Sequence, residues 1–177
     1  VPDKPFDADT PSDEASIERS TYDECIDYIC SDMEKAAEFL PDSRTQQFQY
    51  IASKGAALAV ISRLRLYAAS PWYNGNTRYA DWKTADGRNF ISQNNDNSKW
   101  GVAAVAAKRI IDMGKYALYT TARTERTQEL PSNISQAGFP DGAGNIDPYA
   151  SYKSLFDGSV NAELVPEYIY YCNEIGR

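Results

Sequence analysis

Between Pro71 and Ser98 the sequence gathers Trp72, Tyr73, Tyr79, Trp82 and Phe90 among Asn74, Asn76, Arg78 and Asp81. Aromatic faces stack on apolar C–H surfaces, and planar amide, carboxylate and guanidinium groups beside them bond to hydroxyls. The stretch therefore carries both kinds of contact that a polar ligand with an apolar face requires. The same rings would serve equally well by packing back over the ends of the flanking helices. Other chemistry is thinner. The chain has no histidine, which removes the commonest general base, the commonest metal ligand and every Ser-His or Cys-His dyad. Cys25 and Cys30 would lie about 140° apart around a helix, a poor arrangement for a shared metal or a bridge, and they read as small buried apolar residues. Cys172 leaves the cysteine count odd.

Two further runs look like sites and fail on their details. Gly142 to Asp147 suggests a phosphate loop but has no preceding strand and no third glycine. Asp141, Asn145 and Asp147 could offer oxygens to calcium, yet the glutamate that closes such a loop is missing. The run reads as a solvated turn. The 25 acidic residues could supply a hydrolytic pair, but spacing along the chain does not define one. The sequence calls for no cofactor and no metal.

The totals narrow the partners. Lysine and arginine number 18 against 25 acidic residues, a formal net charge of -7, so no positive field attracts a phosphate backbone and nucleic acid is excluded as a partner. The apolar run from Ala56 to Ile61 is too short to cross a bilayer, and residues 1–19 lack the basic start and apolar middle of a signal peptide. With 177 residues the chain can bury the core of a single domain.

Periodicity supplies the elements that must hold the aromatic stretch. Residues 1–19, with Pro2, Pro5 and Pro11 and six acidic residues against two basic ones, form an extended acidic arm. A first helix opens at Ser20, with Asp23 as a short-armed capping partner. Tyr22, Cys25, Ile26, Ile29, Met33, Ala36, Ala37 and Leu40 form its stripe until Pro41 stops it. A second helix runs from Ala52 to Ala69, with Ala57, Val60, Ile61, Leu64 and Tyr67 on one face. Alanines on its other sides make it slim enough to lie between two neighbours. A third helix begins at Ser98, with Trp100 in its first turn as a core residue and Val102, Ala103, Ala106, Ala107 and Ile110 as its stripe. It stops at Gly114. The segment from Thr120 to Tyr149 reads as irregular, followed by a helical turn near Tyr152 to Phe156 and a short strand at Glu167 to Cys172. The expected class is mainly α, with TPR-like antiparallel helical hairpins and long irregular loops.

Four blocks in order, "YDECIDYICSDMEKAAEFLP", "ASKGAALAVISRLRLYAASPWYNG", "WGVAAVAAKRIIDMGKYALY" and the pair "YKSLF" and "VPEYIYY", resemble the central part of the SusD/RagB family. These are glycan-binding outer-membrane lipoproteins of Bacteroidetes. The resemblance implies a non-catalytic protein of TPR-like helical pairs that holds a poly- or oligosaccharide at the cell surface. It also implies delivery of that glycan to a SusC-like TonB-dependent transporter. Family members are longer and start with a lipoprotein signal whose cysteine carries the lipid anchor. The expectation is therefore a single but incomplete SusD-like domain over 1–177, an internal portion of a larger surface-exposed outer-membrane protein that meets the membrane only through an anchor absent from this chain. Its glycan-binding candidates are Trp72, Tyr73, Asn74 and Trp82. Two other classes stand beside this one: a helical-repeat scaffold for a protein partner, and a fragment of an α-helical glycoside hydrolase.

Overall fold

The computed structural model describes residues 5–44, 48, 50–128 and 145–170. Its helices are α1 (Tyr22–Phe39), α2 (Lys54–Ala69), α3 (Ser98–Asp112) and α4 (Pro148–Ser154). Short 3-10 turns occupy Thr77–Tyr79 and Ala162–Leu164, and two-residue strands β1 (Thr121–Ala122) and β2 (Ile146–Asp147) pair antiparallel.

The start of α1 lies one residue beyond the expected cap. Thr21 and Glu24 form the capping box: Glu24 N–H donates to the Thr21 hydroxyl at 3.3 Å and Thr21 N–H donates to the Glu24 carboxylate at 2.8 Å. Glutamate reaches back where aspartate is too short, and Asp23 turns instead to Lys99, 2.7 Å away at the start of α3. At the other end Leu40 is extended, as the residue before a proline must be. The chain then folds back at once. Pro41 and Asp42 carbonyls accept Lys54 and Gly55 N–H at 2.8 and 3.2 Å, and Ser53 caps α2 through Ala56 N–H at 3.2 Å. These bonds satisfy donors that a helix start leaves open.

Ion pairs reveal the directions of the helices. Arg65 near the end of α2 meets Asp27 near the start of α1 at 2.6 Å, so the two run antiparallel. Lys99 with Asp23 and Arg109 with Glu34 join start to start and end to end, so α3 runs parallel to α1. The slim middle helix is where the sequence places it, since α2 packs against both α1 and α3. One core joins Ile26, Cys30 and Ala37 of α1, Ala57, Leu58, Ile61 and Ala68 of α2, and Ala106 of α3.

Several side chains depart from expectation. The buried arc of α2 runs through Ala57, Ile61 and Ala68 round to Leu58 and Ala69. Val60 and Tyr67 fall beyond its edge and are 42% and 52% exposed. Cys25 lies on the solvent side of α1 while Cys30 is buried. Trp100, expected in the core, is 45% exposed, because α3 turns Ala103 and Ala106 inward instead. Cys172 lies outside the described residues.

Gly55 faces the Tyr116 ring at close range. A Cβ there would stand 2.7 Å from Cζ and 2.9 Å from Cε2 of Tyr116, inside van der Waals contact. An alanine in an open helix gains about 1 kcal/mol over glycine, whereas overpacking costs about 1–3 kcal/mol. The clash wins: Gly55→Ala lowers stability by about 1 kcal/mol in urea unfolding, and becomes neutral or stabilising in a Tyr116→Leu background.

The C-terminal part differs most from its sequence reading. Glu167 to Tyr170 form a turn and a bend, not a strand; Tyr171 and Cys172 lie outside the described residues. Pro166 has no N–H to give a ladder, and Tyr168 N–H closes a turn onto Val165 O at 3.3 Å. The segment is tied sideways, with Ala117 N–H on Pro166 O at 3.2 Å and Tyr119 N–H on the Glu167 carboxylate at 3.0 Å. The small sheet forms within the stretch expected to be irregular. α4 starts earlier than the expected turn, because Asp147 caps Ala150 N–H at 2.8 Å and Pro148 takes the first helical position.

Candidate functional site

The stretch from Pro71 to Asn97 is a built loop. Ser70 ends α2 in extended conformation, and its carbonyl accepts the N–H groups of Tyr73 and Asn74, each at 3.0 Å. Gly75, at φ +82°, takes the left-handed turn that only glycine adopts freely. Its N–H reaches Ser92 O at 2.9 Å. Further out, Thr84 N–H meets Arg88 O at 2.8 Å, Gly87 N–H meets Thr84 O at 2.9 Å and Phe90 N–H meets Trp82 O at 3.2 Å. Residues 82–90 thus fold as a pinched turn, with Gly87 at φ +85°.

The four sequence candidates separate into different roles. Asn74 is 3% exposed, and its amide is used inside the protein. Nδ2 donates to Ala69 O at 3.4 Å and Asp96 O at 2.9 Å, while Oδ1 accepts Asp96 N–H at 2.8 Å. It ties the two ends of the loop together. Tyr73 lies flat on Tyr22, with ring centroids 4.1 Å apart and planes 4° from parallel. That contact covers one of its faces with α1. Burial, with the nearby Tyr73 and Asp23, pushes the Tyr22 phenol up to about 12.

The two tryptophans remain available. Trp72 is 61% exposed, and its carbonyl accepts Asn76 Nδ2 at 3.0 Å. Trp82 is 48% exposed and packs against Phe90 at 4.8 Å and Tyr79 at 6.1 Å. A ring wedged between two others keeps its orientation while it still offers surface to solvent.

The sequence reading missed what fixes this loop to the helices. Arg88 bonds to Asp86 at 2.6 Å and to Glu24 of α1, and Tyr22 N–H donates to Phe90 O at 2.8 Å. The bond from Thr21 N–H and then the Arg88 guanidinium hold the Glu24 carboxyl below its usual range. Thr84 and then Arg88 do the same for Asp86, and the two carboxylates push the Arg88 guanidinium up. Nothing in local spacing links Glu24 to Arg88, so only the folded chain reveals the pairing.

A concavity of about 380 Å³ lies between α1 and α3 above α2, lined by Asp27, Cys30, Ser31, Glu34, Ile61, Arg65, Val102, Val105, Ala106 and Arg109. Its charges already pair with one another, as Asp27 with Arg65 and Glu34 with Arg109, and it has no aromatic wall. The loop fits a stacking ligand better. Among the described residues no group of three His, Cys, Asp or Glu side chains is placed to hold a metal ion, and no helix is long and apolar enough to cross a membrane.

A helical hairpin extended by a third parallel helix, carrying an aromatic loop after its second helix, is a mainly helical arrangement consistent with a SusD-like helical fold. A family model described as SusD-like, starch-binding associating with outer membrane, matches residues 2–66. The solved structure of BT4246, a Bacteroides SusD-like protein, is similar to this chain at 28% identity and a TM-score of 0.63. That match covers 75% of this chain and 26% of BT4246. A structure of selenomethionine BT4246 matches at 27% identity and a TM-score of 0.56, covering 73% of this chain and 25% of that one. No curated protein matches. The chain thus spans about a quarter of the length of these structures, and the matches support a SusD-like family for it.

Proposed function

We propose that the chain takes part in binding a glycan at the outer membrane, with Trp72 and Trp82 stacking on sugar rings and Tyr73 and Asn74 holding the loop that carries them. The observation that carries this reading is Trp82, 48% exposed yet braced by Phe90 and Tyr79. An exposed indole on a fixed mount is suited to the C–H face of a sugar, and large exposed apolar surfaces mark interaction sites. The polar groups that would meet hydroxyls beside it are Arg78 and Asp81, both exposed. In this role the protein is non-catalytic, sits at the cell surface on a lipid anchor, and passes oligosaccharide to a SusC-like TonB-dependent transporter. The SusD-like match and its description as starch-binding support the choice of glycan.

Isothermal titration with maltoheptaose, backed by affinity electrophoresis in starch, tests the reading. The expected result is measurable binding that Trp82→Ala weakens by about tenfold and Trp72→Ala by about fivefold, in line with the loss of one aromatic stacking contact each. Binding unaffected by both substitutions would refute the assignment of the loop. Release of reducing sugar, abolished by replacing one carboxylate, would place the chain among hydrolases instead.

A further inference from the structure

The first turn of α1 meets the loop at three points. Tyr22 N–H donates to Phe90 O at 2.8 Å, the Tyr22 ring lies flat on Tyr73 at 4.1 Å, and Arg88 spans Glu24 and Asp86. Phe90 braces Trp82, and Tyr73 precedes Asn74 and follows Trp72 in the chain, so one helical turn is tied to the stretches that carry both tryptophans. Glu24 is the fixed post in this arrangement. Its Oε2 already accepts Thr21 N–H at 2.8 Å, so its Oε1 is oriented before Arg88 reaches it. Charge-assisted bonds from a planar guanidinium add direction as well as attraction.

We infer that Glu24 and Arg88 are positioning residues that lock the 82–90 turn onto α1, so that Trp72 and Trp82 present one preorganised surface. The glycan half of this inference rests on the proposed function; the ordering of the loop does not. Preorganisation removes the ordering cost that a mobile loop would charge against binding. A single exposed ion pair contributes little; here the carboxylate is held by the cap and the guanidinium by two carboxylates, so the members act together.

Two variants separate this from a general loss of structure. Arg88→Gln breaks both of its ion pairs, and Glu24→Gln removes the charge while keeping a residue that can close the capping box. Each is followed by hydrogen exchange at the Phe90 amide, which bonds to Trp82 O, and by titration of maltoheptaose. The expected result in both is exchange at Phe90 about fivefold faster and binding about fivefold weaker, with α2 amides unchanged. Trp72→Ala and Trp82→Ala, coupled in the unsubstituted chain, become additive when Arg88 is Gln. Arg88→Lys restores part of the protection. Unchanged exchange in Arg88→Gln overturns the inference, and so does faster exchange with full affinity. If the unsubstituted chain binds no maltoheptaose, the proposed function and the glycan half of the inference fail together, while the exchange rates alone decide whether Glu24 and Arg88 hold the loop.

Discussion

Replacing Ile61 with alanine lowers the unfolding free energy by about 3 kcal/mol, the middle of the range for a large-to-small change in a core. Ile61 is 4% exposed and belongs to the core that joins all three long helices. Its neighbours in that core include Ala57, Ala68 and Ala106, which have no side-chain torsions to swing into the space left behind. The void therefore persists, and a persistent void is the costly kind. Val60, one residue earlier and 42% exposed, supplies the control: its alanine variant loses less than about 1 kcal/mol, because little area returns to water. Urea unfolding with an unchanged slope and a lowered midpoint for Ile61→Ala reads out the difference. Equal losses at the two positions would contradict the placement of α2 between its neighbours.

Asn74→Ala destabilises the chain by about 2 kcal/mol, since a buried amide leaves behind the groups it satisfied. The bonds lost are those to Ala69 O at 3.4 Å, Asp96 O at 2.9 Å and from Asp96 N–H at 2.8 Å. Asn74→Asp is worse than alanine, because a carboxylate can accept from Asp96 N–H but would face the Ala69 and Asp96 carbonyls with negative charge. Thermal unfolding monitored by circular dichroism ranks the three proteins, and an aspartate variant as stable as the original would rule out this use of the side chain. Maltoheptaose affinity falls in step with stability if Asn74 supports the loop from inside. A loss of affinity at full stability would instead mark it as a direct contact.

The helical frame was legible because its signals are local. Alanine spacing marks α2, Pro41 marks the end of α1, and Gly114 at φ +60° marks the stop after α3. Near-misses arose where two adjacent residues compete. Ser20 and Thr21 are both good caps, and Asp23 and Glu24 are both acids, so side-chain length decides between them only once α3 offers Lys99 to Asp23. The site was legible in composition but not in role. Trp72 and Asn74 stand two residues apart in one turn, and which of them faces water depends on Asp96, far along the chain. The pairing of β1 with β2 and the tie of Glu167 to Tyr119 are likewise long-range, and no local period announces them. The tyrosine-rich run from Tyr168 looked like a strand because its residues favour one, yet no neighbouring edge supplies a ladder among the described residues.

The clasp between Asn74 and Asp96 has a consequence for how such a protein could diversify. It fastens both roots of the loop to each other beside the ends of α2 and α3, and the ties of the loop to α1 run through Arg88 and Phe90, outside the stretch from Thr77 to Trp82. The short run from Thr77 to Trp82, which holds the 3-10 turn and one indole, is then an exchangeable cartridge. Swapping it for the equivalent run of a relative should transplant ligand preference while the host melts at an unaltered temperature.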